Sequence, residues 1–95
     1  TAQEIERKIR ALNPWPGVFS FYKKKSKSNY KQRLRFTKAA TVKGNFDCGI
    51  IYPNMVIGTR TDGLKIMSLK PEGKKEMAAE SFLRGNAEII WSLLE

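Results

Sequence analysis

The sequence predicts a mainly β domain of the α+β class, built as a small closed or partly open barrel of five or six short strands with a short helix near each end. Strand-like segments and turn signals alternate at intervals of about ten residues through the middle of the chain. Apolar residues at helical spacing precede two prolines at the start. A length of 95 residues with 41% hydrophobic content suits one modest core. We therefore expect a single domain with an entry helix over 1–13, a barrel over 17–77, and a C-terminal helix and tail over 78–95.

The entry helix is indicated by its cap and by one apolar stripe. Thr1 and Glu4 have the spacing of a capping box, in which the two side chains satisfy free backbone amides of the first turn. Ile5, Ile9 and Leu12 recur at intervals of four and three residues, so they share one face. About twelve residues of helix are marginal alone, so this stripe must pack on the barrel. A sequence that opens directly in a helix also suggests a segment of a longer polypeptide.

Residues 14–17 form the predicted corner between this helix and the first strand. Pro14 and Pro16 lack amide donors and favour extended backbone before them, so the helix cannot continue. Gly17 permits a turn that a side chain would oppose. Trp15, held between the prolines, is expected to be buried at this corner.

The first two strands frame the most basic part of the chain. Residues 18–22 have strand composition, with Phe19 and Phe21 on one face. A polar, lysine-rich loop follows, and residues 31–42 alternate as a second strand that ends before a turn at 43–45. The alternation places two sets of side chains on opposite faces: Lys31, Arg33 and Arg35 outward, and Leu34 and Phe36 inward.

Three further strands are predicted downstream, over 46–52 with an interruption at Gly49, over 55–59, and from residue 64 to about 71. Asp62 and Gly63 are a favoured pair for a two-residue hairpin turn between the last two. Leu64 and Ile66 are expected to face inward. Leu69 breaks the alternation and predicts a bulge near it.

Residues 78–84 are predicted to form a short helix, with Phe82 and Leu83 inward and Gly85 just beyond its end. Ala78 occupies the capping position but has no side chain that can accept a hydrogen bond. The apolar tail after it is expected to dock on the core as a last helix or strand.

Positive charge is concentrated in the middle of the chain. The whole sequence has a net charge of +9, and the segment 17–75 contains fourteen basic and three acidic residues, whereas the two flanks together contain four basic and six acidic residues. A polyanion is the natural partner of such a segment, and a phosphate backbone is the commonest one.

Several classes of catalytic and metal site are excluded by composition. The chain has no histidine and one cysteine, which rules out Ser-His-Asp triads, Cys-His pairs and the usual zinc ligand sets within these residues. Cys48 excludes an intrachain disulfide, fits a reducing cytoplasm, and is expected to be a buried small hydrophobe. We expect no catalytic, cofactor-binding or metal-binding residue and no membrane span in this chain.

Four motifs in order resemble the C-terminal domain of methionyl-tRNA formyltransferase over nearly the whole length. That family has L-N-P-W-P-G at the end of its first helix, a late D-G hairpin followed by leucine, L-x-P-x-G-K-K-x-M, and F-L-x-G. The matching residues are Leu12 to Gly17; Asp62, Gly63 and Leu64; Leu69, Pro71, Gly73, Lys74, Lys75 and Met77; and Phe82, Leu83 and Gly85. Lys70 departs from the glutamine that is usual in the family.

The resemblance implies an OB-like Greek-key barrel that holds tRNA largely through its backbone. It also implies an N-terminal catalytic domain in the same polypeptide, which binds 10-formyltetrahydrofolate and contains the catalytic Asn, His and Asp. This barrel would then bind initiator methionyl-tRNA without catalysing the transfer, as a cytoplasmic monomer. Nine residues are the predicted tRNA contacts: Lys23, Lys24, Lys25, Lys27, Lys31, Arg33, Arg35, Lys74 and Lys75.

Two alternatives remain open from the sequence. The domain of a related formyltransferase that acts on a non-tRNA acceptor would be similar, and would serve only as an accessory part. A stand-alone RNA-binding OB module would need exposed aromatic platforms, whereas the outward positions of the second strand are basic. Tyr22 and Tyr30, beside the lysine-rich loop, are candidates either for stacking on a base or for packing in the core.

Overall fold

In a computed structural model, the described residues are 1–12, 17–23 and 31–94, without the side chains of Lys23 and Lys31. The predicted corner at Pro14, Trp15 and Pro16 lies outside them. Within these ranges the elements are helix α1 (Ala2–Leu12), strands β1 (Val18–Lys23), β2 (Lys31–Val42), β3 (Ile51–Tyr52), β4 (Val56–Gly58), β5 (Gly63–Pro71) and β6 (Met77–Ala78), helix α2 (Ala79–Gly85), and 3₁₀ turns at Pro53–Met55 and Ala87–Ile89. The predicted mainly β class with a helix near each end is confirmed.

The six strands form one antiparallel sheet. Its order is β1-β2-β5-β4-β3, and β6 pairs with β5 off this path. Strands β3, β4 and β5 follow one another as antiparallel neighbours, and β2 lies beside β5 after a long connection. This spatial order is that of a Greek key, as the resemblance implied.

A single core lies between the inner face of the sheet and the two helices. Leu34, Ile66, Leu69 and Phe82 are each at most 2% exposed, and Ile9 of α1 joins them at 1%. Helix α1 packs mainly against β2, and α2 packs against β5 and β6. The amide of Glu4 donates to the Thr1 hydroxyl oxygen at 3.3 Å, which confirms the predicted cap of α1.

The predicted bulge lies where β2 and β5 pair. Phe36 is opposite Leu69 and Lys38 is opposite Ser68, so one extra residue, Thr37, stands on β2. The next step skips Met67 on β5. The two irregularities compensate each other, and the inward alternation therefore resumes at Ile66 after the interruption beside Leu69.

Three details of the segment 46–63 differ from expectation. Strand β3 is only two residues long because Cys48 and Gly49 form a turn, with Gly49 at a left-handed φ of +84°. Cys48 is consequently exposed rather than buried. The β4–β5 hairpin is present, but Thr59 and Asp62 pair through their backbones at 3.2 Å, so Arg60 and Thr61, not Asp62 and Gly63, are the central turn residues.

The C-terminal tail docks alongside β3, as its apolar sequence predicted. Leu93 forms a β-bridge with Ile50, and the amide of Ile51 donates to the Ser92 carbonyl at 2.9 Å. Strand β6, at the start of α2, was not predicted. No helix in the described parts of the chain combines the length and apolar composition needed to cross a membrane.

Candidate nucleic-acid interface

The alternation of β1 and β2 gives the sheet one polar, exposed side. Leu34 and Phe36 are buried, as predicted, while Arg33 is exposed and Arg35 partly exposed on the opposite side. Phe21 lies directly opposite Arg33, and Phe19 opposite Arg35. On the other edge of β2, Arg35 lies opposite Lys70 of β5. We call these five residues the outer face: Phe19, Phe21, Arg33, Arg35 and Lys70.

Two phenylalanines are the most unusual members of the outer face. Phe19 is 42% exposed and Phe21 is 43% exposed. The guanidinium carbon of Arg33 lies 4.7 Å from the centroid of the Phe19 ring, within the range of a cation–π interaction. Two large apolar rings are thus exposed to solvent beside cationic side chains and are not packed in the core.

Arg33 and Arg35 differ in how much they offer to a ligand. The side chain of Arg33 is 46% exposed and lies 4.0 Å from a carboxylate oxygen of Glu72, an exposed ion pair. The Nε atom of Arg35 is buried. A Cβ placed on Gly17 would lie 2.7 Å from that Nε, so the bare glycine makes room for the side chain. Arg33 is therefore the more available cation, and Arg35 also fills space beside β1.

The turn after β5 brings two more cations to the end of β5 that pairs with β2. The amide of Glu72 donates to the Arg33 carbonyl at 2.9 Å, and the amide of Lys74 donates to the Pro71 carbonyl at 3.0 Å. These bonds fix the turn beside β2. Lys74 and Lys75 are both exposed on it.

The nine predicted contacts are thus only partly located. Arg33, Arg35, Lys74 and Lys75 lie on the outer face or on the adjoining turn. Lys23 and Lys31 are opposite each other at the paired ends of β1 and β2, with side chains outside the described atoms. Lys24, Lys25 and Lys27 lie outside the described residues.

The structure describes one of the two tyrosines that were candidates for base stacking. Tyr22 is fully buried, so it packs in the core and cannot stack on a base from solvent. Desolvation raises the pKa of its phenol to about 12, and the Glu88 carboxylate adds to the shift. Tyr30 lies outside the described residues.

Sequence reasoning missed three members of the outer face. Lys70 lies between buried Leu69 and Pro71, and this alternation is the sequence signal that its side chain points outward. Phe19 and Phe21 were placed together on one face, but apolar residues on both faces of β1 hide which face is outward. The outward positions of β2 are basic, as predicted, and two exposed aromatic side chains lie on the neighbouring strand β1.

Comparison with known proteins places this geometry in a family. The model of the formyl transferase C-terminal domain matches residues 1–87, which is most of the chain. The chain belongs to the formyl transferase C-terminal domain family. The resemblance stated from the four motifs is thereby confirmed.

Curated relatives agree with this assignment. The chain is 32% identical to a methionyl-tRNA formyltransferase of Thermodesulfovibrio yellowstonii over 88 residues, covering 90% of this chain and 26% of that protein. It is also 32% identical to the same enzyme of Carboxydothermus hydrogenoformans, covering 100% of this chain and 30% of that protein. A third, from Marinobacter nauticus, is 33% identical over 95% of this chain and 29% of that protein. The chain spans less than a third of the length of these relatives.

Proposed function

We propose that this chain is the non-catalytic, tRNA-binding domain of a methionyl-tRNA formyltransferase of the cytoplasm. It holds initiator methionyl-tRNA while a separate N-terminal domain of the same polypeptide transfers the formyl group of 10-formyltetrahydrofolate to the methionyl amino group. The binding domain acts as a monomer and needs no cofactor of its own. The family assignment and the names of the relatives support this proposal.

The charge distribution is the observation that carries the proposal. The segment 17–75 holds fourteen basic and three acidic residues. In its described part, Arg33, Lys70, Lys74 and Lys75 lie on the outer face or the turn beside it, and all four are exposed. Each cation that neutralises a phosphate releases condensed counterions, so such a surface attracts folded RNA with a steep dependence on salt.

Contacts of this kind position an RNA without reading its sequence. Ammonium and guanidinium groups meet phosphate oxygens, which are the same at every nucleotide. The domain would therefore contribute affinity and orientation, and the choice of initiator tRNA and the chemistry would fall to the catalytic domain. This division of labour accounts for a chain without histidine in a family of formyltransferases.

Binding of initiator tRNA across a salt series tests the proposal. The charge-removing variant Lys70→Ala/Lys74→Ala/Lys75→Ala changes three exposed side chains outside the core. We expect weaker binding. The slope of log affinity against log salt concentration should decrease in magnitude by roughly three, about one for each cation removed. Fluorescence anisotropy of labelled tRNA gives both quantities, and thermal unfolding checks that the fold is retained.

A matched control removes the same charge from the helices. Arg7, Lys8 and Arg84 are exposed on α1 and α2, and their joint change to alanine should alter the salt slope much less. Equal losses in the two triple variants would mean that net charge alone drives binding, and the proposed surface would be wrong. If initiator tRNA binds no better than another polyanion of similar charge density, the accessory domain of a formyltransferase with a non-tRNA acceptor is the better interpretation.

A further inference from the structure

We infer that Phe19, Phe21 and Arg33 form a stacking platform for an unpaired nucleobase of the bound RNA. This inference rests on the proposed function and adds a second kind of contact to it. Phosphate attraction alone does not require aromatic side chains. The exposed rings and the guanidinium beside them are the features that argue for a base as well as a backbone.

Packing of the core does not account for the two exposed rings. Side chains at alternate positions of a strand share a face and lie about 7 Å apart along it. Phe19 and Phe21 are such a pair, on the opposite face from buried Tyr22. The inner face is filled by Tyr22, Leu34 and other apolar residues, so the fold does not bury these two rings. Leaving them in solvent forgoes part of the hydrophobic stabilisation that burial would give each ring.

The cations around the rings indicate what kind of partner covers them. An apolar protein surface would have to desolvate Arg33 and Lys70, whereas RNA supplies phosphates for the cations and planar bases for the rings. Bases stack on aromatic rings and on guanidinium planes alike. The Arg33 guanidinium carbon lies over the Phe19 ring, 4.7 Å from its centroid, so a cation and an aromatic ring already meet at this place.

A small cleft at the edge of the platform has room for one base. It measures about 220 Å³ and is lined by Phe19, Arg33, Arg35, Lys70 and Glu72, among others. This is below the roughly 300–1,000 Å³ of clefts that hold drug-sized ligands, and it suits one planar ring system. The Glu72 carboxylate can accept a hydrogen bond from a base N–H group. Arg33, Arg35 and Lys70 in the same lining can bind the phosphates that flank such a base.

Binding of two labelled RNAs of equal phosphate count separates stacking from charge. One is a short unstructured single strand containing 2-aminopurine, and the other is a fully paired duplex. The variant Phe19→Leu/Phe21→Leu keeps apolar bulk and every charge but removes both π faces. We expect single-strand affinity to fall by about fivefold to a hundredfold, the 2-aminopurine quenching to be lost, and duplex affinity and salt slope to stay the same.

Two further variants make the result specific. Met67 is also 43% exposed, on β5, so Met67→Ala alters an equally exposed apolar side chain that is not part of the platform and should change neither affinity. Phe19→Tyr/Phe21→Tyr keeps both aromatic rings and, unlike the leucine variant, should retain single-strand binding. Thermal unfolding shows whether each variant is folded.

Each outcome bears on one proposal or the other. If the leucine variant binds and quenches the single strand as the unaltered chain does, or if the unaltered chain does not bind it, the platform is overturned. If the single strand is bound through the rings but initiator tRNA is not bound, the platform stands as a site for single-stranded RNA and the proposed tRNA function fails.

Discussion

The backbone N–H of Gly44 donates a hydrogen bond of 3.2 Å to a carboxylate oxygen of Asp62, joining the turn after β2 to the turn before β5. The other oxygen of Asp62 accepts from the Gln3 side-chain amide of α1 at 3.3 Å. Asp62 also has a left-handed φ of 65°, a conformation that few side chains tolerate. One residue thus ties the entry helix and two turns together at one end of the sheet.

Replacement of Asp62 should test this tie. Asp62→Ala loses both hydrogen bonds and places alanine at a positive φ, so we expect the free energy of unfolding to fall by about 1–3 kcal/mol. Asp62→Asn keeps a hydrogen-bond acceptor, and asparagine tolerates a positive φ. The free energy of unfolding should therefore fall by less than half as much in this variant. Urea denaturation measures both. Equal stability of the alanine variant and the unaltered chain would show that the carboxylate bonds contribute nothing.

Gly58 is a position where packing excludes any side chain. A Cβ there would overlap the carbonyl oxygen of Asp47, a backbone atom that also accepts a hydrogen bond from Ile50. We expect Gly58→Ala to destabilise the fold by about 2 kcal/mol or more. Gly85, with open space around its Cβ position, is the control, and Gly85→Ala should be close to neutral. Thermal unfolding of the two variants should separate them clearly.

Tyr22 should make stability depend on pH in the alkaline range. Its phenol titrates at about 12 in the fold against 10.0 in an ordinary setting. Above pH 10 the unfolded chain therefore loses this proton first, and the free energy of unfolding falls until about pH 12, by between about 1 and 3 kcal/mol. Below pH 10 the phenol is protonated in both states and contributes no slope.

The variant Tyr22→Phe isolates this contribution from the titration of the lysines. It lacks the ionising group but fills nearly the same space, so its stability should exceed that of the unaltered chain increasingly from pH 10 to pH 12. Denaturant midpoints at several pH values give the difference. A difference that stays constant across this range would refute the assigned pKa shift.

The start of α2 offers a stabilising change. Ala78 is exposed at the capping position with extended backbone, and makes no side-chain hydrogen bond to the helix. In Ala78→Ser the new hydroxyl oxygen should accept a hydrogen bond from a free amide of the first turn and raise the free energy of unfolding by about 0.5–1 kcal/mol. The same change at Ala11, exposed within α1, should lower it by a few tenths instead. A loss of stability at Ala78 would show that the backbone there does not present those amides.

The sequence was sufficient wherever a local pattern decides the structure. The period of two in β2 determined that Leu34 and Phe36 face away from Arg33, because alternation is a property of the extended chain itself. The spacing of Ile5 and Ile9 gave the buried stripe of α1 in the same way. Four ordered motifs were enough for the family.

Tertiary structure decided what depends on partners distant in the chain. Alternation puts Phe19 and Tyr22 on opposite faces of β1 but cannot say which face meets the core, since both are aromatic. Only the pairing of β1 with β2, and the position of the core beneath β2, turns Tyr22 inward and leaves the phenylalanines in solvent beside Arg33. The row from Phe19 through Arg35 to Lys70 likewise exists because β5 returns to β2 across a long separation in sequence. Local periodicity orients neighbouring residues relative to one another, whereas burial is fixed by long-range contacts that a single strand does not contain.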